Sequence, residues 1–283
     1  MDFSTPLEGT EDRVVRPDGT ELRTMTVGEG DRDVVLAHGY GFSLDSWSLV
    51  APLLVSTGHR VIAFDQRGHA GSTIGSQGVG SLQMASDYAA VMEHHDVRKG
   101  VLVGHSMGGF LSIAFMLSHP DVVAERLAGL LLMATFAGDV SRKNPQNRLQ
   151  IPLIKSGILV RMVSIPAIGR AFTRSLVGEY ADGMAEAFIP IFTSHDHKAL
   201  IPIMEAMTGE NRYSQLGAVD LPTTVLIGTE DHTTPPFHTD DLHAGIAGSR
   251  LVRLDGKGHA LNWEAPDAVA AEVALLSGAG TPS

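Results

Sequence analysis

The chain opens with two short β-forming runs, RVVRPDGTELRTMTV (13–27), folded about Asp18-Gly19 in the pattern of a hairpin. Residues 1–12 carry no periodic pattern and read as a loose arm. From 33 onward the texture changes. Apolar runs at 33–39, 60–65, 100–105 and 127–135 are continuous rather than alternating, and helix-like stretches at 46–57, 81–95 and 107–119 separate them. A strand apolar on every side chain is buried on both faces, which predicts a parallel sheet covered by helices, an α/β architecture. The rhythm stops at 137–217, where Pro- and Gly-interrupted amphipathic segments contain no strand-like run. It resumes with strands at 223–228 and 250–255 and helices near 238–247 and 265–277. With the hairpin counted as two strands, a helical segment is inserted after strand 6. The expected division is a core of 13–136 and 218–283 with a helical subdomain at 137–217.

The most unusual boundary is VLVGHSMGGF (101–110), where a buried run ends in glycines around one serine. In a sharp strand-to-helix turn, side chains two residues either side of Ser106 would clash, so Gly104 and Gly108 permit a bend that lifts the hydroxyl clear of the sheet. A serine hydroxyl needs a base, and the base needs an orienting group. Of 13 histidines, His259 in GKGHALNWEAP follows the last strand on its C-terminal edge, where open parallel sheets place their sites. Asp231 ends the preceding strand on the same edge and is expected to hold the imidazole; Glu230 and Asp139 are its rivals. After the first long parallel strand, His38-Gly39 brings the backbone towards the serine. The amides of Tyr40 and Met107 are therefore expected to face a developing oxyanion.

Composition narrows the function further. Formal charge is −11 and no basic run stands out, which disfavours nucleic acid. The absence of cysteine excludes a thiolate nucleophile or Cys-based zinc site. No metal site is expected: in SHDH (194–197) the histidines are i, i+2 apart, off a shared helical face, and the stretch reads as solvated. His94-His95 read as surface, Asp240-Asp241 as a solvated helix start, and Trp47 and Trp263 as packing residues. The N-terminus has no basic and apolar leader pattern, and no run reaches the ~18 apolar residues of a membrane span, so a cytoplasmic protein is expected.

Four stretches in this order, HGYG, DQRGHAGS, GHSMGG and GTED…GHALNWEAP, resemble the α/β-hydrolase superfamily, as does the chain order Ser106, Asp231, His259. The resemblance covers about 13–277. It implies an eight-stranded, mostly parallel, doubly wound sheet whose antiparallel strands come from the hairpin, a cap at 137–217, and no cofactor. One departure is Ala70, which stands at a position often glycine in the family. A serine rather than an aspartate nucleophile disfavours haloalkane and epoxide chemistry. The apolar insertion favours small-molecule carboxylic esters with an apolar part over sugars or charged substrates. The same triad also suits lactones, thioesters, C–C bonds or perhydrolysis, and a hydrolase-fold ligand sensor is the alternative of another class.

Overall fold

A computed structural model describes residues 2–278. Eight strands form one sheet: β1 (Thr10–Val15), β2 (Glu21–Val27), β3 (Arg32–Ala37), β4 (His59–Phe64), β5 (Gly100–His105), β6 (Leu127–Met133), β7 (Thr223–Gly228) and β8 (Arg250–Leu254). Their order is β1-β2-β4-β3-β5-β6-β7-β8. The β1–β2 and β2–β4 pairs are antiparallel and the others parallel. The α/β class, the parallel centre and the antiparallel hairpin thus agree with the sequence pattern.

Period-two alternation sorts the core. Val34, Leu36, Val101 and Val103 point to one face, where they pack with Leu54 of α1 (Ala51–Ser56) and Val269 and Val273 of α12 (Pro266–Leu276). Val35, Ala37 and Leu102 point to the other face. There they meet Tyr88 of α2 (Ser81–His94) and Phe110 and Phe115 of α3 (Met107–Ser118). Each central strand is apolar throughout because each face has its own helical layer.

Several boundaries differ from the sequence expectation. The arm is not loose: Phe3 and Leu7 are buried, Phe3 against the Trp263 ring at 5.6 Å, and Leu7 N–H donates to Asp45 at 2.9 Å. β1 already begins at Thr10, but as an exposed edge strand it is polar on both faces and leaves little trace in an apolar pattern. The single helix expected at 46–57 is a 3₁₀ turn (Leu44–Trp47) followed by α1, restarted by Pro52 in its first turn. Pro120 likewise begins a short α4 (Pro120–Arg126) that the pattern did not indicate.

Between the adjacent strands β6 and β7 the chain forms α5 (Pro145–Lys155), α6 (Ile158–Val163), α7 (Pro166–Arg174), α8 (Met184–Ser194) and α9 (Ile201–Gly209). A 3₁₀ segment, Tyr213–Ala218, leads back into the sheet. Phe188, Phe192 and Ile203 of this insertion belong to the same apolar cluster as α2 and α3. α10 (Pro236–Gly245) and α11 (Leu261–Glu264) complete the described chain. Asp240 and Asp241 lie within α10 rather than at its start, paired with Arg253 and Arg142. No single helix among the described residues is long and apolar enough to cross a membrane.

Candidate active site

The site is built where β5 turns into α3. Ser106 has φ 54° and ψ −116°, a conformation rarely held by a residue with a side chain, and such strain concentrates at functional positions. The turn is held by Ser106 N–H donating to the Met133 carbonyl at 3.0 Å and by Thr135 Oγ1 donating to the Ser106 carbonyl at 2.6 Å. A Cβ on Gly104 would lie 2.6 Å from Ser112 Oγ, and one on Gly108 would collide with the Ala37 carbonyl. Both glycines are required by close approach.

His259 sits in the loop after β8. Its Nδ1–H donates to Asp231 Oδ2 at 2.8 Å, which leaves Nε2 unprotonated to act as a base. Asp231 is itself fixed: Oδ1 accepts from the Thr233 and Thr234 amides, both at 2.8 Å, and Oδ2 from the Thr234 hydroxyl at 2.8 Å. All three of Ser106, Asp231 and His259 are buried. Of the rivals, Glu230 faces solvent 3.9 Å from His232, and Asp139 caps Ser141 locally. Ser106 and His259 line the same cavity. No hydrogen bond joins Ser106 Oγ to His259, an arrangement that commonly tightens only around substrate.

The loop after β3 runs against the turn. A Cβ on Gly39 would lie 3.2 Å from Ser106 Cβ and 3.0 Å from the His105 ring, so any larger residue would crowd the nucleophile turn. Met107 opens α3, and its N–H has no carbonyl one turn earlier to bond. Tyr40 lines the cavity. His38 supports the loop from below: Nε2 accepts from Gln66 N–H at 3.0 Å while Nδ1–H donates to the Gly39 carbonyl at 2.8 Å. Gln66 also bonds the His38 carbonyl, and Tyr88 OH reaches both Gln66 and the Gly108 carbonyl at 3.0 Å. The Tyr40 loop and the Ser106 turn are thereby clamped to one another.

DQRGHAGS makes a neighbouring brace. Arg67 is buried and bidentate to Asp87 at 2.8 Å through each nitrogen, with Asp18 of the hairpin turn as a further partner. Ala70 adopts φ 42°, so the turn usually made by glycine is kept at the cost of a strained alanine.

SHDH is solvated only at Ser194 and Asp196; its two histidines, contrary to the sequence expectation, are not. His195 and His197 are buried, and they meet the Tyr40 loop. His197 Nε2–H donates to the Phe192 carbonyl at 2.7 Å, and Nδ1 accepts from Tyr40 OH at 2.6 Å. His195 Nε2 accepts from Ala70 N–H at 3.2 Å, and its ring lies 5.0 Å from that of His69. Burial depresses these imidazoles, His195 to about 4 and His38 to about 3, and pushes His69 well below its usual value. The tetrapeptide lies at the end of α8, where segment polarity alone gives no sign of the loop that covers it. His95 is half-buried with Nε2 on Thr24 at 3.0 Å, while His94 is exposed beside Asp12. Trp47 and Trp263 pack, both buried. Among the described residues no cluster of His, Asp or Glu is arranged to hold a metal.

Two supporting residues escaped the sequence reading. Thr234 fixes Asp231 as described, and a hydroxyl three residues after a candidate acid is its only signal. Glu264 accepts from the Gly178, Glu179 and Gly258 amides at 2.8–3.0 Å, tying the His259 loop to the insertion, and His259 N–H donates to the Leu176 carbonyl at 2.7 Å.

The cavity beside Ser106 holds about 110 Å³ and is walled by Phe42 and Phe136 of the core and by Ile154, Phe172, Phe188 and Met204 of the insertion. Its polar wall is small. Asn147 Nδ2 is already committed to the Val140 and Thr233 carbonyls at 2.9 and 2.8 Å, and among the described residues no Lys or Arg lines the cavity.

The chain belongs to the alpha/beta hydrolase family, whose model matches residues 34–272. It is 26% identical over 276 residues to a non-heme haloperoxidase of Rhodococcus erythropolis, covering 92% of this chain and 97% of that one. It is 30% identical over 251 residues to a 2-hydroxy-6-oxononadienedioate/2-hydroxy-6-oxononatrienedioate hydrolase of Escherichia coli, covering 85% of each. An esterase of Exiguobacterium antarcticum superposes with a TM-score of 0.82 at 20% identity, covering 96% of this chain and all of that one, a likeness of fold.

Proposed function

We propose that the protein is a serine hydrolase of carboxylic esters with a short apolar acyl group, and that residues 137–217 act as its cap. Ser106 Oγ attacks the ester carbonyl as His259 Nε2 takes its proton. Asp231 steadies the imidazolium, and the Tyr40 and Met107 amides hold the oxyanion. The alcohol departs with the proton returned by His259, leaving an acyl group on Ser106. Water activated by the same nitrogen then releases the acid.

The observation that carries this reading is the conjunction of a strained Ser106 and a carboxylate-bound His259 on one small apolar cavity. A cavity of about 110 Å³ is smaller than the ~150 Å³ site that holds benzene in an engineered protein core, which suits a short acyl group. A dicarboxylate, such as the named substrate of the Escherichia coli relative, would enter a wall without a cation, at a large desolvation cost. The experiment is fluorophosphonate labelling with mapping of the modified residue, followed by a p-nitrophenyl ester series. Labelling at Ser106 and turnover that falls from acetate and butyrate towards decanoate are expected. Labelling elsewhere, or none, overturns the nucleophile; preference for decanoate overturns the acyl size. Turnover of esters so slow that it never competes with tight ligand binding would point to a sensor instead.

A further inference from the structure

Between Asp139 and Glu179 the chain carries seven Lys and Arg and no carboxylate. The remainder holds 14 basic and 32 acidic side chains, so a segment of charge +7 sits on a body of charge −18. The basic residues are spread along the chain rather than run together, which is why no basic block shows in the sequence. Folding places five of them on α5, α6 and α7 and the other two, Arg142 and Lys143, just before α5. Lys143, Arg148, Arg161 and Arg174 are exposed there without a carboxylate partner among the described residues.

The same helices expose apolar side chains. Leu149, Ile158, Met162 and Ile165 are four of the eight large hydrophobic residues exposed in the described chain, at 67, 49, 39 and 51%. Ile158, Arg161 and Met162 follow i, i+3, i+4 on the outer face of α6, with exposed Ile165 between α6 and α7, while Leu159 and Val163 are buried. An outward face that is both apolar and cationic suits a surface offering hydrocarbon beneath anionic headgroups.

We propose that the outer face of α5–α7 docks the protein on an anionic lipid surface. The apolar side chains enter the headgroup boundary, and the unpaired guanidinium groups meet the lipid phosphates. The acidic remainder of the molecule is repelled by the same surface, so the insertion is the side presented to it. The inner side of α5 and α7 supplies Ile151, Ile154 and Phe172 to the cavity wall, so docking places the cavity close to the interface.

The test is co-sedimentation with phosphatidylglycerol and phosphatidylcholine vesicles at low and high salt. It is read in the intact protein and in Ser106→Ala, so the outcome does not depend on hydrolysis. Binding to phosphatidylglycerol at low salt, its loss at high salt and none to phosphatidylcholine are expected. Arg148→Glu with Arg161→Glu and Arg174→Glu should lower partitioning at least about a hundredfold. Ile158→Ser with Met162→Ser should lower it about tenfold or more. Both variants should keep turnover of a soluble short ester. Absence of binding at low salt, or equal binding to the two lipids, overturns the proposal. A doubled mass in solution that the same charge reversals abolish assigns the face to a second copy and equally overturns it.

Discussion

His259 in the cavity wall and a cluster of three other buried histidines differ in one respect. His259 has a carboxylate on Nδ1, whereas His38, His69 and His195 form no hydrogen bond to a carboxylate and pack beside one another. Burial alone penalises an imidazolium; a buried carboxylate offsets that penalty. The first arrangement permits a proton to be taken and returned in the site. The second keeps imidazoles neutral, so that they serve as fixed acceptors and apolar packing between core and insertion. The position of the carboxylate, more than burial, separates the proposed base, His259, from the packing histidines.

The comparison can be broken most severely at the reactive set. Ser106→Ala should abolish turnover of p-nitrophenyl acetate, a fall of roughly four to six orders of magnitude, with an unchanged far-ultraviolet spectrum. Asp231→Asn should lower kcat by roughly 10⁴-fold, because the amide favours the wrong tautomer of His259. Full activity in either variant removes the contrast.

The neutral set predicts a stability profile. A histidine held below its unfolded value binds more protons when unfolded, so stability is full above about pH 6.5 and falls as the pH drops towards 4. Each such group steepens the fall by about 1.4 kcal/mol per pH unit within that window. Thermal denaturation between pH 7.5 and 4.5 should show the decline, and His195→Asn should flatten it relative to the parent. An identical slope in the variant would show that His195 is not held neutral.

A smaller effect probes the join between the two sets. Tyr40 OH on His197 ties the loop whose Tyr40 amide is the proposed oxyanion donor to the insertion. Tyr40→Phe and His197→Ala should each lower kcat/KM about fivefold, the worth of one neutral hydrogen bond, and the double variant should lose no more than either alone. Additive losses would mean that the bond does not position the loop. The smallest change is Ala70→Gly, expected to raise stability by up to about 1 kcal/mol in urea denaturation by relieving the positive φ, less the glycine's added unfolded entropy.

What was legible in the sequence followed from short-range constraints. Short continuous apolar runs bounded by turn residues fit strands covered on both faces, so VLVGH and TTVLIG announced the central sheet. Gly104 is forced by atoms a few residues away in the same turn, whereas the Ala37 carbonyl that forces Gly108 arrives from β3. Asp231 and His259 could be named because the ends of successive parallel strands must meet at one edge. Contacts between segments remote in the chain left no such mark. Nothing in SHDH states that Tyr40 and Ala70 will cover its histidines, and Glu264 gives no hint that three amides from two segments converge on it. Which of the seven basic residues dispersed over 140–178 find a carboxylate partner and which stay exposed was likewise set by segments remote in the chain. Local sterics and burial period are written residue by residue, whereas the partner of a polar side chain depends on which distant segment arrives beside it, and that was decided by the tertiary fold alone.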